Sequence, residues 1–334
     1  MSYTEFRDGY AIEAVGAEGT SVITAIGDTA YLLGAVSQKS VHPSPKALIR
    51  YTATGYNTKE VGAGLMWKAN YSLRGMYGLV MQNGIPIYLA LGDSVTVVDV
   101  HTLAPFTTGA PIPSVTINHE QRGSATNEEY QFMGCKIDSL TLIHDMREAP
   151  FLMAKIEWMA MQAQDGIALT TAPALPATAN TDAYVNLERK WDIGGAHGGP
   201  LDIDGLQYVE ITIGNGLKPV YGHTWDGGVY TGQWPYMLLE APRKQYQIVM
   251  DLHPNTIERD MWDSLIATTT AITTTFKWVR SATDYILVTA IGPVTSHELI
   301  TPEVGETLVE RVIIEPYSLS VAVSDALAKA RYGD

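Results

Sequence analysis

The residues best placed to do chemistry lie in the run Ile87–Thr96, where Gly92-Asp93-Ser94 follows an apolar segment. A serine at the end of a buried strand can act as a nucleophile when a base lies within reach and a third group orients that base. Because we predict strand structure over 85–100, Ser94 would occupy such a position. The chemistry that this arrangement could support is ester hydrolysis.

The Gly-Asp-Ser block resembles the nucleophile motif of the GDS-type esterases, but the rest of that family's machinery is missing. Its base comes from an Asp-x-x-His pair late in the chain, whereas Asp99-Val-His101 and Asp251-Leu-His253 have the wrong spacing. Its Gly-x-Asn-Asp block is absent, the nearest match being Gly214-Asn215-Gly216, and its fold is α/β. We therefore interpret Ser94 as part of a turn after a strand and predict no catalytic residue and no enzymatic activity.

Metal binding is not predicted either. No two histidines are three to five residues apart, which is the spacing that places two imidazoles on one side of a helix or turn. Glu128-Glu129 and Asp202-x-Asp204 could indicate calcium or glycosidase chemistry, but the EF-hand spacing is not met. The histidines are His42, His101, His119, His144, His197, His223, His253 and His297. We predict no metal site and no cofactor.

Two glycine-rich stretches and one aromatic cluster indicate surface loops. Gly194–Pro200 and Asp226–Gly228 are not followed by a predicted helix, so they cannot cradle phosphate as helix-entry loops do. Residues 221–236 interleave aromatic side chains with Gly and Asp, and only Arg243 and Lys244 supply nearby positive charge. Stacking on nucleic acid also needs cations, so we favour a long hairpin used for protein contact. Carbohydrate recognition by these aromatics stays open as the alternative. They are Tyr221, Trp225, Tyr230, Trp234 and Tyr236.

The composition is that of a globular protein with no affinity for polyanions. Of 334 residues, 46% are hydrophobic and 17% charged, and the formal net charge is −14. No cationic surface for nucleic acid is predicted, although an acidic wall would let DNA pass without sticking. Cys135 is the only cysteine, which excludes an intrachain disulfide, and we expect it to be a small buried hydrophobe. Neither a membrane span nor a secretory signal is predicted.

Alternation of apolar and polar residues dominates both halves of the chain and predicts strands with one buried face. Helical periodicity is scarce. Ser72 could cap a short helix ending at Asn83-Gly84, and Asn255 with Glu258 forms a capping-box pattern before a second helix. The clearest alternating runs lie at 152–159, 208–213, 245–252 and 317–324.

Each half therefore has the predicted order of strand, one short helix, then strands, which indicates a structural duplication with diverged sequence. The Ala/Thr/Pro-rich stretch 165–183 has almost no large side chains and is typical of an inter-domain linker. We predict an N-terminal arm (1–44), a first β domain (45–164), this linker (165–183) and a second β domain (184–334). A parallel α/β fold is excluded because it needs a helix after nearly every strand.

Several strand motifs point to one family. Pro113–Ile117 reads Pro-Ser-apolar-Thr-apolar, and Gly134–Leu142 reads Gly-Cys-Lys-apolar-x-Ser-Leu-Thr-Leu. In the second half, Val209–Pro219 and Val309–Asp325 are similar to strands at the start and end of a repeated domain. This order resembles the major tail-tube proteins of long-tailed viruses of bacteria or archaea. The resemblance covers roughly 45–325 in organisation, and residues 1–44 do not match.

The resemblance implies two tandem β-sandwich or small-barrel domains, each with one flanking helix, in a structural virion protein. Such domains close side by side into rings, and the rings stack into a tube through which DNA leaves the capsid. Two domains per chain imply trimeric rings with pseudo-sixfold symmetry. The implied partners are further copies of the chain and the tape-measure, terminator and tip proteins of the tail, after assembly in the host cytoplasm. For contacts between rings we favour 52–66, 221–236 and the arm 1–44. The alternative is a carbohydrate- or receptor-binding β-sandwich module.

Overall fold

A computed structural model describes the residues in the following ranges: 3–14, 16–24, 35–46, 70–105, 112–123, 127–166, 182–194, 199–220, 225–226, 229–230, 235, 237–254, 256–300, 308–325 and 327. Most of the predicted linker, the loop prediction 52–66 and most of 221–236 lie outside these residues. Within them the protein is mainly β, with large antiparallel sheets, as the alternation predicts.

The strands of the first half pair antiparallel with one another. They are β1 (Tyr3–Ile12), β2 (Ala35–Lys46), β3 (Asn70–Val80), β4 (Gly92–Val97), β5 (Val100–Pro105), β6 (Val115–Gly123), β7 (Asn127–Asp145), β8 (Ala149–Ala160) and β9 (Gln162–Asp165). Thus β1 and most of β2 lie within the segment that the sequence predicts as an arm.

Among its described residues the second half adds twelve further strands. They are β10 (Asn186–Asp192), β11 (Leu201–Asp202), β12 (Leu206–Gly214), β13 (Lys218–Val220), β14 (Trp225–Asp226), β15 (Val229–Tyr230), β16 (Met237–Leu239), β17 (Gln245–Leu252), β18 (Ala271–Ser281), β19 (Asp284–Ile300), β20 (Val309–Ile314) and β21 (Ser318–Ser324).

The first predicted helix is wrong in position. Residues 70–80 form strand β3, in which Gly75, Tyr77 and Leu79 are buried on one face, and the helix α1 is Ile85–Leu91. Gly84 is its N-cap, Pro86 lies in its first turn, and Gly92 ends it with φ of 98°, a conformation that glycine adopts without strain. Every residue of α1 is buried, so its sequence has no polar face and the apolar run looked like a buried strand. The second helix, α2 (Thr256–Thr268), is confirmed.

One antiparallel sheet runs through both halves, and we call it the shared sheet. Its strands pair in the order β2-β3-β8-β7-β12-β17-β20-β19. The long strands β7 and β19 leave this sheet at their N-terminal ends and enter two outer sheets. The first outer sheet is β1-β6-β7-β9, and the second is β11-β10-β18-β19-β21-β5-β4.

Seven strands of the first half have corresponding pairing partners, in the same order, as seven strands of the second half. In chain order, β1, β2, β3, β6, β7, β8 and β9 occupy the places of β10, β12, β17, β18, β19, β20 and β21. The irregularities correspond too. The first strands both shift register by one residue, between Val36 and Gln38 and between Leu206 and Tyr208. The crossing strands shift between Ile137 and Ser139 and between Val294 and Ser296.

The corresponding cores are filled by different residues at the same places. In the first half Gly75 lies opposite Trp158, and a Cβ atom on Gly75 would come within 2.1 Å of the indole ring. The corresponding cross-strand pair in the second half is Ile248 and Ile314, both fully buried. One small and one very large residue thus replace two of middle size. Such compensation keeps the packed volume nearly constant, and it means that a comparison of the two sequences does not show the correspondence.

Candidate assembly surface

The junction between the halves is a β-ladder, not only a chain connection. Strands β7 and β12 pair from Tyr208 opposite Asp145 to Gly214 opposite Ser139. Beyond the ladder, the Asn215 N–H donates to the Asp138 carbonyl at 2.7 Å. Because alternate residues of an antiparallel strand bond to the same neighbour, the N–H of Leu142 is also directed to β12. The two halves therefore meet edge to edge through the backbone.

A buried polar network lies at the end of this junction where Asn215 follows β12. The Asn215 side-chain amide donates to the carbonyls of Ala90 and Ile137, and Lys244 Nζ donates to Ala90 O and to Asn215 Oδ1 at 2.6 Å. The second half thereby satisfies a carbonyl in the last turn of α1. Burial lowers the pKa of Lys244 to about 8, because the charged ammonium loses solvation there.

A second clamp ties three parts of the chain together. The Arg280 guanidinium bonds to both carboxylate oxygens of Asp284 in the second half. It also donates to the carbonyls of Gln82 in the first half and of Asp182 at the end of the predicted linker. Its planar group stacks over the Tyr184 ring at 4.5 Å. Five donors in a fixed fork make arginine suited to such a node.

The shared sheet ends in two strands that have one described neighbour each. The last part of β19 pairs with β20, and β2 pairs with β3; no other described strand lies beside either. At the junction Leu142 is 1% exposed and lies directly opposite Ile211 on the neighbouring strand β12. Its counterpart at the end of the sheet is Leu299, three residues after the same register shift, and Leu299 is 44% exposed. An apolar side chain thus remains uncovered where the corresponding one is buried by a partner strand.

An imidazole between two carboxylates lies under the open edge of β19. His297 Nδ1 is 2.6 Å from Asp263 Oδ1 in α2, and its Nε2 is 2.5 Å from Glu310 Oε1 in β20. The corresponding residue at the junction is Leu140, which is fully buried. No serine or cysteine contacts the ring among the described residues, so this cluster holds α2 on the sheet and offers no nucleophile. No local sequence pattern predicts this cluster, because its residues are 34 and 13 positions apart in the chain.

One face of the shared sheet packs on the outer sheets and helices. The other face is covered around Met159 by the β12–β17 connection and is otherwise open among the described residues. The open face bears pairs such as Lys155 with Glu157 and Arg311 with Asp251, joined by two bonds of 2.8 and 3.0 Å. The strand positions place five described acids on this face, Asp145, Glu157, Glu210, Asp251 and Glu298, with the bases Arg74, Lys136, Lys155 and Arg311. Arg147 of the β7–β8 turn joins them, since its guanidinium bonds to Asp145 and lies 3.9 Å from Asp251. The described acids and bases of this face therefore nearly balance.

A short ribbon from the second half lies on the first. Strands β13 and β16 form the base of the connection between β12 and β17, and Leu217 and Leu238 of this connection are buried against Met161. The same small cluster includes Ile112 and Met159 of the first half. Glu240 adds an ion pair with Lys136 and accepts the Ile112 N–H at 2.8 Å.

Ser94 is not placed for nucleophilic catalysis. It lies on β4 after helix α1, not after a strand, and it is 9% exposed. His101 contacts Thr96 Oγ1 through Nδ1 and the Leu327 carbonyl through Nε2. Asp325 nearby accepts the N–H of Gly84, at the start of α1. These groups join the C-terminal segment to α1.

The other predicted features lie only partly within the described residues. Cys135 is 1% exposed, as expected of a buried hydrophobe, and burial raises its thiol pKa. Within the described ranges no group of three His, Cys, Asp or Glu residues is arranged to hold a metal ion. No helix of that part is long and apolar enough to cross a membrane. Of the aromatic cluster 221–236, only the backbone of Trp225 and Tyr230, paired across β14 and β15, is described.

Solved structures of two tail assemblies are similar to this chain. The SPP1 tail tube matches with 9% identity and a TM-score of 0.29, over 45% of this chain and 83% of that one. The tail of an empty GTA particle, refined with C6 symmetry, matches with 18% identity and a TM-score of 0.25, over 42% of this chain and 93% of that one. Both matched structures are tail assemblies. No protein-family model matches the sequence, and no curated protein matches it.

Proposed function

We propose that this chain is a tail-tube subunit of a virus-like particle, and that its copies join edge to edge into closed rings that stack into a tube. The β7–β12 junction carries the proposal. It joins two units of corresponding topology by a backbone ladder, and the edges that correspond to β12 and β7 are the open strands β2 and β19. Repeating the same junction between chains leaves no open edge once the ring closes.

The correspondence fixes the register of the proposed contact. Leu142 lies opposite Ile211 at the junction, and their counterparts are Leu299 and Val41. Leu299 of one copy would therefore lie opposite Val41 of the next, and Glu298 opposite His42. A carboxylate facing a histidine on the neighbouring strand is a favourable cross-strand pair when the imidazole is protonated.

The ladder between copies would be shorter than the one inside the chain. Asn215, which follows β12, donates its N–H to β7. Its counterpart at the end of β2 is Pro45, and Pro43 lies two residues earlier, so both belong to the alternate residues that would face the next copy. Proline has no N–H to donate, so bonds from β2 would come from Lys39 and Val41. We infer an association weaker than the internal junction, which suits subunits that must be added one after another.

Three copies would supply six units and a ring of pseudo-sixfold symmetry. The open face of the shared sheet would line the channel, where its nearly balanced acids and bases offer no cationic surface to hold DNA phosphates, so that the DNA stays mobile. The further partners are the tape-measure, terminator and tip proteins, and the location is the virion tail after assembly in the host cytoplasm. The division into an arm, two tandem β-sandwich domains and a linker at 165–183 belongs to the same proposal, as does the absence of enzymatic activity.

Electron microscopy of the purified protein tests the assembly. We expect rings or hollow tubes, lost on Leu299→Pro, because proline removes the N–H that faces the next copy while the bonds to β20 remain. Leu299→Ala is the matched control, since it keeps the N–H and should still assemble at higher protein concentration. A protein that stays monomeric at all concentrations and salt conditions would contradict the proposal, and so would a Leu299→Pro variant that assembles like the wild type.

A further inference from the structure

We propose that the surface around Tyr317 binds the β2–β3 connection, residues 47–69, of a second copy of the chain. This inference rests on the proposed edge-to-edge assembly and adds a second contact to it. The surface belongs to the second half and the occupant to the first half of the next copy. A corresponding contact is made inside each chain by the connection between β12 and β17.

Within the chain, the connection between β12 and β17 reaches from the second half back onto the first. Its residues Leu217 and Leu238 are 4% exposed and cover Met161, which is 6% exposed. The ion pair between Glu240 and Lys136 holds the base of the ribbon in place. The second half therefore contacts the first half through this connection as well as through the backbone ladder.

Tyr317 occupies the position of Met161 in the other half. Met161 follows Trp158 by three residues and donates its backbone N–H to Met133 O at 3.0 Å. Tyr317 follows Ile314, the counterpart of Trp158, by three residues and donates its N–H to Ile291 O, also at 3.0 Å. Both residues thus make the turn that leads from the shared sheet into the outer sheet.

The two positions differ in what covers them. Met161 is 6% exposed beneath the ribbon, whereas Tyr317 is 69% exposed. Glu315 beside it, the counterpart of buried Met159, is exposed as well. A large aromatic ring with a hydroxyl is a common anchor of protein interfaces, since it buries much area at low entropic cost.

The correspondence between the two halves identifies the β2–β3 connection as the segment that would cover Tyr317. Gly214 lies opposite Gln245 at the start of the β12–β17 connection, and Ser44 lies opposite Ser72 at the corresponding place in the first half. Leu238 is seven residues before Gln245, and Leu65 is seven residues before Ser72. Leu65 therefore corresponds to the leucine that covers Met161, and Met66 and Trp67 follow it in the sequence.

Cross-linking between two single-cysteine variants tests the contact. Leu65→Cys and Tyr317→Cys chains are mixed, allowed to assemble, treated with a short bismaleimide and quenched before denaturation. The native Cys135 is 1% exposed and should not react. We expect a covalent dimer in the mixture and none with either variant alone. The double variant Met161→Cys/Leu238→Cys is the reference, because the same reagent should close that pair within one chain.

Three results are decisive when the same samples are imaged. Rings with a Leu65–Tyr317 cross-link support the contact. Rings without it, while the reference pair reacts, overturn this inference and leave the proposed assembly standing. Absence of both rings and cross-link overturns both. A mixture with Val98→Cys in place of Tyr317→Cys is the matched control, since Val98 is 87% exposed and lies on the β4–β5 turn. Tyr317→Ala should raise the concentration needed for rings about tenfold, the effect of losing one aromatic anchor.

Discussion

The β7–β12 junction and the two ends of the shared sheet consist of corresponding strands. At the junction the two strand edges are paired with each other, whereas at the ends of the sheet they have no described partner. At the junction Leu142 is buried beside Ile211 of the neighbouring strand, and Met161 is buried against the β13–β16 ribbon. At the open β19 end their counterparts, Leu299 and Tyr317, are 44% and 69% exposed. The difference shows which residues a second copy would need to cover.

The junction also shows what a covalent connection adds. Asn215, Lys244 and Arg280 form buried polar networks between the halves, and these cost little entropy because both halves belong to one chain. The open edge of β19 has its own buried polar network, in which His297 lies between two carboxylates and every member belongs to the second half. A neighbour can therefore leave without exposing unpaired buried charges.

The largest expected effect separates Leu142 from Leu299. Leu142→Ala should lower the free energy of unfolding by about 3 kcal/mol, because it leaves a cavity in a packed junction. Leu299→Ala should change the unfolding free energy of the monomer by less than about 0.5 kcal/mol, since the side chain is already exposed. Urea denaturation at a concentration below assembly measures both. Equal losses at the two sites would mean that Leu299 is buried in the monomer.

The pair of Gly75 and Trp158 tests the correspondence of the two cores. Gly75→Ala should destabilise by about 2 kcal/mol, because the new Cβ overlaps the indole ring. Combining Gly75→Ile with Trp158→Ile installs the pair that the second half uses, Ile248 and Ile314, and should be more stable than Gly75→Ile alone. Thermal unfolding of the two variants compares them. If the double change were the worse of the two, the halves would not share interchangeable packing.

The pH dependence of the junction follows from Lys244. Burial lowers its pKa from 10.5 to about 8, so between these values the unfolded chain holds a proton that the folded chain has lost. Stability should therefore rise with pH in that window, by about 1 kcal/mol from pH 8 to pH 9.5 relative to Lys244→Met.

Other buried groups, Cys135 and Tyr246 among them, act in the opposite direction. Burial raises the pKa of Cys135 and raises that of Tyr246 to about 12, so the unfolded chain ionises first and stability falls with pH. These groups are present in wild type and in Lys244→Met, and the difference between the two curves isolates Lys244. Parallel curves would show that Lys244 is solvated in the folded protein.

The smallest expected effect concerns the charge at the open edge. Glu298→Gln removes the carboxylate that the proposed register places opposite His42 of the next copy. We expect a change in unfolding free energy below about 0.5 kcal/mol and a two- to threefold rise in the concentration for assembly, because exposed ion pairs contribute little. Sedimentation at low and high salt measures it. A salt dependence unchanged by the substitution would argue against the register.

The sequence predicted some elements well because their signals are local. Alternation placed β8, β12, β17 and β21, and the capping pattern at Asn255 placed α2. It failed at 72–91, where Leu73, Tyr77 and Met81 are four residues apart and so fit both a helical count and an alternating one. The signals for α1 were Pro86 in its first turn and Gly92 at its end, but an apolar run with no polar face could not be told from a buried strand.

What the sequence determined by itself is the kind of structure: mainly antiparallel strands, a buried cysteine and strand motifs like those of tail-tube proteins. Only the tertiary structure decided which strands meet. The β7–β12 ladder joins residues about seventy positions apart, and the correspondence of Leu142 with Leu299 and of Met161 with Tyr317 appears only in pairing and register. The physical reason is that period and capping are properties of neighbouring residues, whereas an edge becomes open or closed only when the whole sheet has formed.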